Sequence, residues 1–137
     1  MSSPTATPIP PSAIGKSFDS LMEFLREPDI GPAALSPSRF SRLLGIDLQT
    51  LAAQAHVHRN TLTRSPASEG IQRFLREAVR VIRAATDLSG DVNRATFWYR
   101  NEPLAPFGYK TAETLVSEGR AEDVLRYVIS LEAGATG

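Results

Sequence analysis

An all-α fold is what this sequence predicts: a helix-turn-helix domain followed by a small helical unit, behind a disordered N-terminal tail. Three observations carry the prediction. Residues 48–64 read as two short helices at an angle, joined by a tight turn near His56-Val57. Between residues 68 and 86, Ile71, Phe74, Leu75, Ala78, Val79 and Ile82 recur at spacings of three and four, the period of one helical face. Start and stop residues punctuate the remainder, with Ser36-Pro37, Asp47 and Thr111 as starts and Gly45, Ser65-Pro66 and Gly119 as stops.

Residues 1–16 carry Pro4, Pro8, Pro10 and Pro11 among Ser, Thr and Ala, with little to bury and no helix propensity, so they form the expected disordered tail. A helix then starts near Phe18 with Leu21, Met22 and Leu25 on the same face, is ended by Pro28, Gly31 and Pro32, and packs on the domain or against a second copy. Ser36 caps and Pro37 preorganises the next helix, which runs through Phe40, Leu43 and Leu44 and stops at Gly45. Asp47 caps the first helix of the motif. There Leu51, Ala55, Val57 and Leu62 form the inner face and the small Ala52 lets the helices approach closely.

Ser65-Pro66 closes the second helix of the motif, because the residue before proline is pushed out of helical geometry. The long helix over 68–86 carries Arg73, Arg76, Arg80 and Arg83 opposite its apolar face. Residues 91–100 form a helix with Ala95, Trp98 and Tyr99, and residues 101–108, with Pro103, Pro106 and Gly108, form a loop. Thr111 caps a short helix over 112–117. A final helix over 121–131 places Val124, Leu125, Val128 and Leu131 in register before a flexible ending, 133–137. The division expected is a tail (1–16), a helix-turn-helix DNA-binding and dimerisation domain (17–87) and a C-terminal unit (88–137).

A chain of 137 residues can bury a real core. The absence of cysteine excludes disulfides and thiolate metal sites, and no apolar run approaches the ~18 residues that span a bilayer. The N-terminus lacks the basic-then-apolar order of a signal peptide, so a soluble cytoplasmic protein without membrane association is expected. A formal net charge of zero conceals a patterned chain: residues 1–37 carry −2, residues 38–83 carry +5 and residues 84–137 carry −3. The eight cations of the basic middle are all arginines, which favour phosphate and base-edge pairing or are simply solvated.

The motif leaves His58, Arg59, Asn60, Thr63 and Arg64 facing outward. Such a set suits a DNA major groove, where Arg pairs with guanine, Asn with adenine, and Thr or Arg with phosphate oxygens. The predicted DNA-contacting residues are Gln54, His58, Arg59, Asn60, Thr63 and Arg64. The stretch resembles the helix-turn-helix of the Xre and lambda-repressor type, which commonly reads Leu-Ala-x-x-x-Gly-Val before a polar recognition helix; here Leu51-Ala52 and His56-Val57 make the match. His56 stands where glycine is usual, at a turn that often needs a positive φ, and His is among the few other residues that tolerate it.

The C-terminal segment resembles the toxin-binding domain of the Xre/MbcA/ParS antitoxin family through Trp98, Asn101, Leu104, Gly108, Thr111, Leu115, Gly119, Val124, Leu131 and Gly134. Ala112 replaces the family's usual proline, and Pro106-Phe107 is extra. The two matches cover about residues 36–134, in the order that the family shows. The resemblance implies a homodimeric antitoxin that represses its own operon and covers the active site of a RES-domain toxin that depletes NAD. The C-terminal unit and its last residues, 131–137, would enter a basic pocket of that toxin. The toxin-facing residues expected on this basis are Tyr99, Phe107, Tyr109, Glu118, Leu131, Glu132 and Gly134, with Trp98 as a core anchor.

Glu113, Glu118, Glu122 and Asp123 read either as a solvated helix surface or as a face for a basic partner. No catalysis and no cofactor are expected. His56 and His58 belong to a turn and a recognition helix, and there is neither a Gly-rich phosphate loop nor a nucleophile with an identifiable base. A stand-alone repressor with a C-terminal dimerisation or ligand domain is the alternative function, and an adaptor without DNA binding is a third.

Overall fold

Ser17 opens the first helix, its hydroxyl accepting the Ser20 amide hydrogen at 3.0 Å. The computed structural model describes residues 17–136, and for residues 135 and 136 the backbone alone. The expected disordered tail (1–16) and Gly137 lie outside the described residues. Among them are eight α-helices and no strand, and no helix is long and apolar enough to cross a membrane.

Helix α1 (Phe18–Leu25) buries Leu21 and Leu25 completely. A short 3-10 turn, Pro28–Ile30, follows, and the chain folds back so that the Ser36 amide donates to the Leu25 carbonyl at 2.8 Å. Helix α2 (Pro37–Leu44) has the cap, the first-turn proline and the left-handed glycine that its sequence predicts: Ser36 Oγ accepts from the Arg39 amide, and Gly45 has φ 73°. The Arg39 guanidinium donates to the carbonyls of Phe24 and Arg26, closing the C-terminal end of α1 with a positive charge.

Helices α3 (Leu48–Ala55) and α4 (Arg59–Arg64) form the motif. Helix α5 (Glu69–Ser89) is the central element and packs most extensively on α6 (Val92–Asn101) and α8 (Ala121–Thr136). It runs three residues past the predicted end at Thr86, because nothing in Asp87-Leu88-Ser89 breaks a helix and the first residue suited to a left-handed cap is Gly90, φ 79°. Its buried Gln72 is a polar hub. Gln72 Oε1 accepts from the Leu35 amide at 2.9 Å, while Nε2 donates to the carbonyls of Leu35 (2.9 Å) and Pro66 (2.8 Å). The segments before α2 and before α5 are thereby fixed to one side chain that has no unsatisfied partner inside the core.

Asp91 caps α6 by accepting from the Asn93 and Arg94 amides. The loop after α6 contains a 3-10 turn, Ala105–Phe107, anchored by buried Leu104, and closes on itself through Leu104 and Lys110. Thr111 caps α7 (Ala112–Ser117), and Gly119, φ 82°, turns the chain into α8. The flexible ending expected at 133–137 is a correction: α8 continues to Thr136. No proline interrupts it, Ala133 and Ala135 are strong helix formers, and Gly134 costs only about 1 kcal/mol in a helix interior. Buried side chains from Leu21 to Val128 form one contiguous core, so residues on both sides of position 87 share it.

Candidate functional site

The motif is built from local chemistry. Asp47 Oδ1 accepts from the Thr50 amide at 2.7 Å and caps α3. Hydrogen bonds from the Thr50 backbone and side chain, aided by the nearby Arg59 charge, hold the Asp47 carboxyl below its usual range. Leu51, Ala52 and Leu62 are buried where α3 meets α4, with Ala55 and Val57 partly covered, close to the predicted inner face.

His56 ends α3 with φ 60° and ψ 41°, the left-handed conformation expected at that turn. Its amide donates to the Ala53 carbonyl, and the Val57 amide donates to the Ala52 carbonyl at 3.0 Å, so the last carbonyls of α3 are satisfied within the turn. The His56 ring has a further role that sequence reasoning missed. Its Nε2 lies 2.7 Å from the Ser117 carbonyl oxygen, and Ser117 Oγ donates to the Gln54 carbonyl at 2.8 Å. Two hydrogen bonds therefore join the motif's turn to the end of α7, across sixty-one residues of sequence. Nothing local in the sequence signals such a pairing.

His58, Arg59, Asn60, Thr63 and Arg64 are all exposed, as expected for an outward face. The Thr63 hydroxyl already donates to the Asn60 carbonyl at 3.0 Å. Gln54 departs from the expected set: its side-chain oxygen is buried without a partner, because the end of α7 packs over that part of α3. Gln49, which sequence reasoning did not single out, lines an open concavity of about 610 Å³ with Ala53, His56, His58, Arg59 and Asn60. Its position in the first turn of α3 puts it beside α4, a placement that needs the angle between the helices.

The four arginines of α5 are exposed and mostly partnered within the chain. Arg76 pairs with Glu69 at 3.2 Å, Arg80 with Glu122 at 3.0 Å, and the Arg83 guanidinium lies 5.4 Å from the Phe18 ring centroid.

In the C-terminal helices the burial of Tyr99, Trp98 and Glu113 differs from that expected. Tyr99, predicted at an interface, is 0% exposed and is the largest fully buried side chain, whereas Trp98, predicted as the core anchor, is only half-buried. One residue, 100° of helix, separates them, and it is Tyr99 that joins the buried core, which α5 and α7 build against α6. Burial, and secondarily the charge of Glu113, pushes the Tyr99 hydroxyl well above the ordinary tyrosine range, and its oxygen has no hydrogen-bond partner. Glu113 is not a solvated surface residue. It is buried and accepts from Arg100 Nε at 3.1 Å, while Arg100 Nη1 donates to the Leu44 carbonyl and ties α6 to the end of α2.

Phe107 is half-buried, edge-on to Tyr127 at 5.7 Å with the Arg120 guanidinium over its face. Tyr109 is 70% exposed and has a positive φ of 67°. Glu118 is exposed and paired with Lys110 at 2.9 Å. Leu131, Glu132 and Gly134 are exposed on α8, so they present a helical surface rather than a flexible plug. Phe97 (70%) and Ile129 (59%) are exposed apolar residues that sequence reasoning passed over; Phe97 falls opposite the buried positions of its helix, while Ile129 flanks the buried face of α8.

Comparison with known proteins identifies no relative: no family model, no curated protein and no solved structure matches this chain.

Proposed function

We propose that this chain is a DNA-binding antitoxin of the Xre/MbcA/ParS type. In this reading it dimerises on the operator of its own operon, inserts α4 into the major groove, and neutralises a cognate RES-domain, NAD-depleting toxin with its C-terminal unit. The observation that carries the DNA half is the turn at His56: a left-handed residue joins a capped helix to a short one whose His58, Arg59, Asn60, Thr63 and Arg64 are exposed together. Arg59 and Asn60 line the concavity between the helices and are assigned to base edges, Arg64 to a base edge or phosphate. The toxin half rests on the resemblance of residues 98–134 and on the exposure of Tyr109, Glu118, Leu131 and Glu132. The chain itself is assigned no catalytic role and no cofactor.

The experiment that tests the DNA half is a promoter-fragment shift with Arg59→Ala. A loss of roughly 1–3 kcal/mol in operator affinity is expected if Arg59 reads a base, and an unchanged affinity removes α4 as the recognition helix. The toxin half is tested by expressing the neighbouring open reading frame with and without this chain while following growth and cellular NAD. Arrest with NAD loss that the chain relieves is the expected result.

A stand-alone repressor is the second reading, and the burial of Tyr99 favours it, since that burial removes one aromatic from the surface assigned to the toxin. A neighbouring gene product without toxicity would make it the better account.

A further inference from the structure

A groove between α1 and α5 is not absorbed by the proposed function and shares no lining residue with the concavity of the motif. Its volume is about 410 Å³. The floor is apolar, made by Phe18 and Met22 of α1, Leu35 and Val79. Along its rim α5 places Arg73, Arg76, Arg80 and Arg83, at spacings of three, four and three, over about 15 Å of helix.

Apolar floor and cationic rim together define what fits. A helix with apolar residues on one face and carboxylates along its flanks would meet both the apolar floor and the 3-4-3 spacing of the arginines. Arginine rather than lysine suits the bidentate grip on carboxylates. The rim already handles carboxylates, through Arg76 with Glu69 and Arg80 with Glu122, and with both partners more than half exposed these pairs are worth little and exchange readily. Among the described residues no ion pair engages Arg73. Nucleic acid fits less well, because phosphates have no use for the apolar floor and Glu77, also in the lining, repels them. Residues 1–16, the adjoining segment, contain no acidic residue to meet the arginines.

We propose that the α1–α5 groove docks an acidic amphipathic helix of a partner protein. The test uses the full chain with Met22→Cys, a unique thiol because the sequence has no cysteine, carrying an environment-sensitive fluorophore. The probes are a synthetic helix with leucine on one face and glutamate on its flanks, the same helix with lysine for each glutamate, and a short random-sequence DNA duplex. Saturable binding of the acidic helix, sensed at position 22 and about tenfold tighter than the lysine form, is expected, with a further tenfold loss in Arg73→Glu/Arg83→Glu. Arg59→Glu/Arg64→Glu should leave it unchanged. Arg73→Gln/Arg83→Gln, which only removes charge, should give an intermediate loss.

Equal binding of the two helices, equal loss in the Arg59/Arg64 variant, or displacement of the acidic helix by duplex at the Arg73 and Arg83 sites would overturn the proposal. So would a fluorophore signal that changes with protein concentration alone, because a second copy would then fill the groove.

Discussion

Tyr99 shows what a single buried atom does to stability. Its ring fills the centre of the core, so Tyr99→Ala should cost about 3–5 kcal/mol in a denaturant titration, as other large-to-small aromatic truncations do. Its hydroxyl, however, is buried without a partner and contributes only a desolvation cost. Tyr99→Phe should therefore leave stability unchanged or raise it by up to about 1 kcal/mol. The two proteins also differ in alkali. Because the folded-state pKa of Tyr99 is raised above its ordinary value of 10.0, the neutral form is favoured by folding; that contribution is intact below pH 10 and is lost as pH rises beyond it, where the unfolded chain releases the proton. The advantage of Tyr99→Phe should widen above pH 10, and a constant difference across that range would show that the hydroxyl is solvated.

The elements were legible in the sequence wherever a cap wrote their ends. Ser36-Pro37, Asp47, Thr111, Gly45 and Gly119 all sit where expected, because capping is chemistry within three or four residues. What depends on packing from elsewhere was not legible: which of Trp98 and Tyr99 faces inward, and that Gln54 turns under the end of α7. The end of α8 was misplaced for another reason, since one glycine among alanines is a weak stop without a proline. Two predictions belong to this scale. Asp47 has a lowered carboxyl pKa, so its charged cap stabilises α3 above the ordinary value of 3.8 and is lost as pH falls through the lower folded-state value. The stability gap between the native chain and Asp47→Asn should thus be constant near neutrality and shrink below pH 3.8 in thermal unfolding. At the turn, His56→Gly relieves about 1 kcal/mol of left-handed strain while losing the bond to Ser117, so its net effect should lie within about 1 kcal/mol of zero; His56→Ala keeps the strain and loses the bond, and should be the less stable of the two by about 1 kcal/mol.

Across the whole molecule, the motif and the C-terminal helices act on each other through their shared core and through one small joint. His56 and Ser117 exchange a hydrogen bond, Ser117 holds the Gln54 carbonyl, and α7, which ends in Ser117, is itself fixed by the buried Glu113–Arg100 pair that reaches Leu44 before the motif begins. Residues after position 87 thus hold the chain just before the motif and at the motif's turn. Ser117→Ala removes the bond to Gln54 and leaves the apolar core untouched, because Ser117 is only half-buried. The expected consequence is local: amide exchange at His56 and Val57 should quicken about fivefold, corresponding to roughly 1 kcal/mol of lost protection, while the amides in the middle of α5 keep their native rates. Hydrogen exchange followed residue by residue separates this from simple destabilisation, since a fall in global stability would quicken α5 and the turn together. A turn that loosens alone would identify Ser117 as the contact through which α7 sets the rigidity of the turn between α3 and α4.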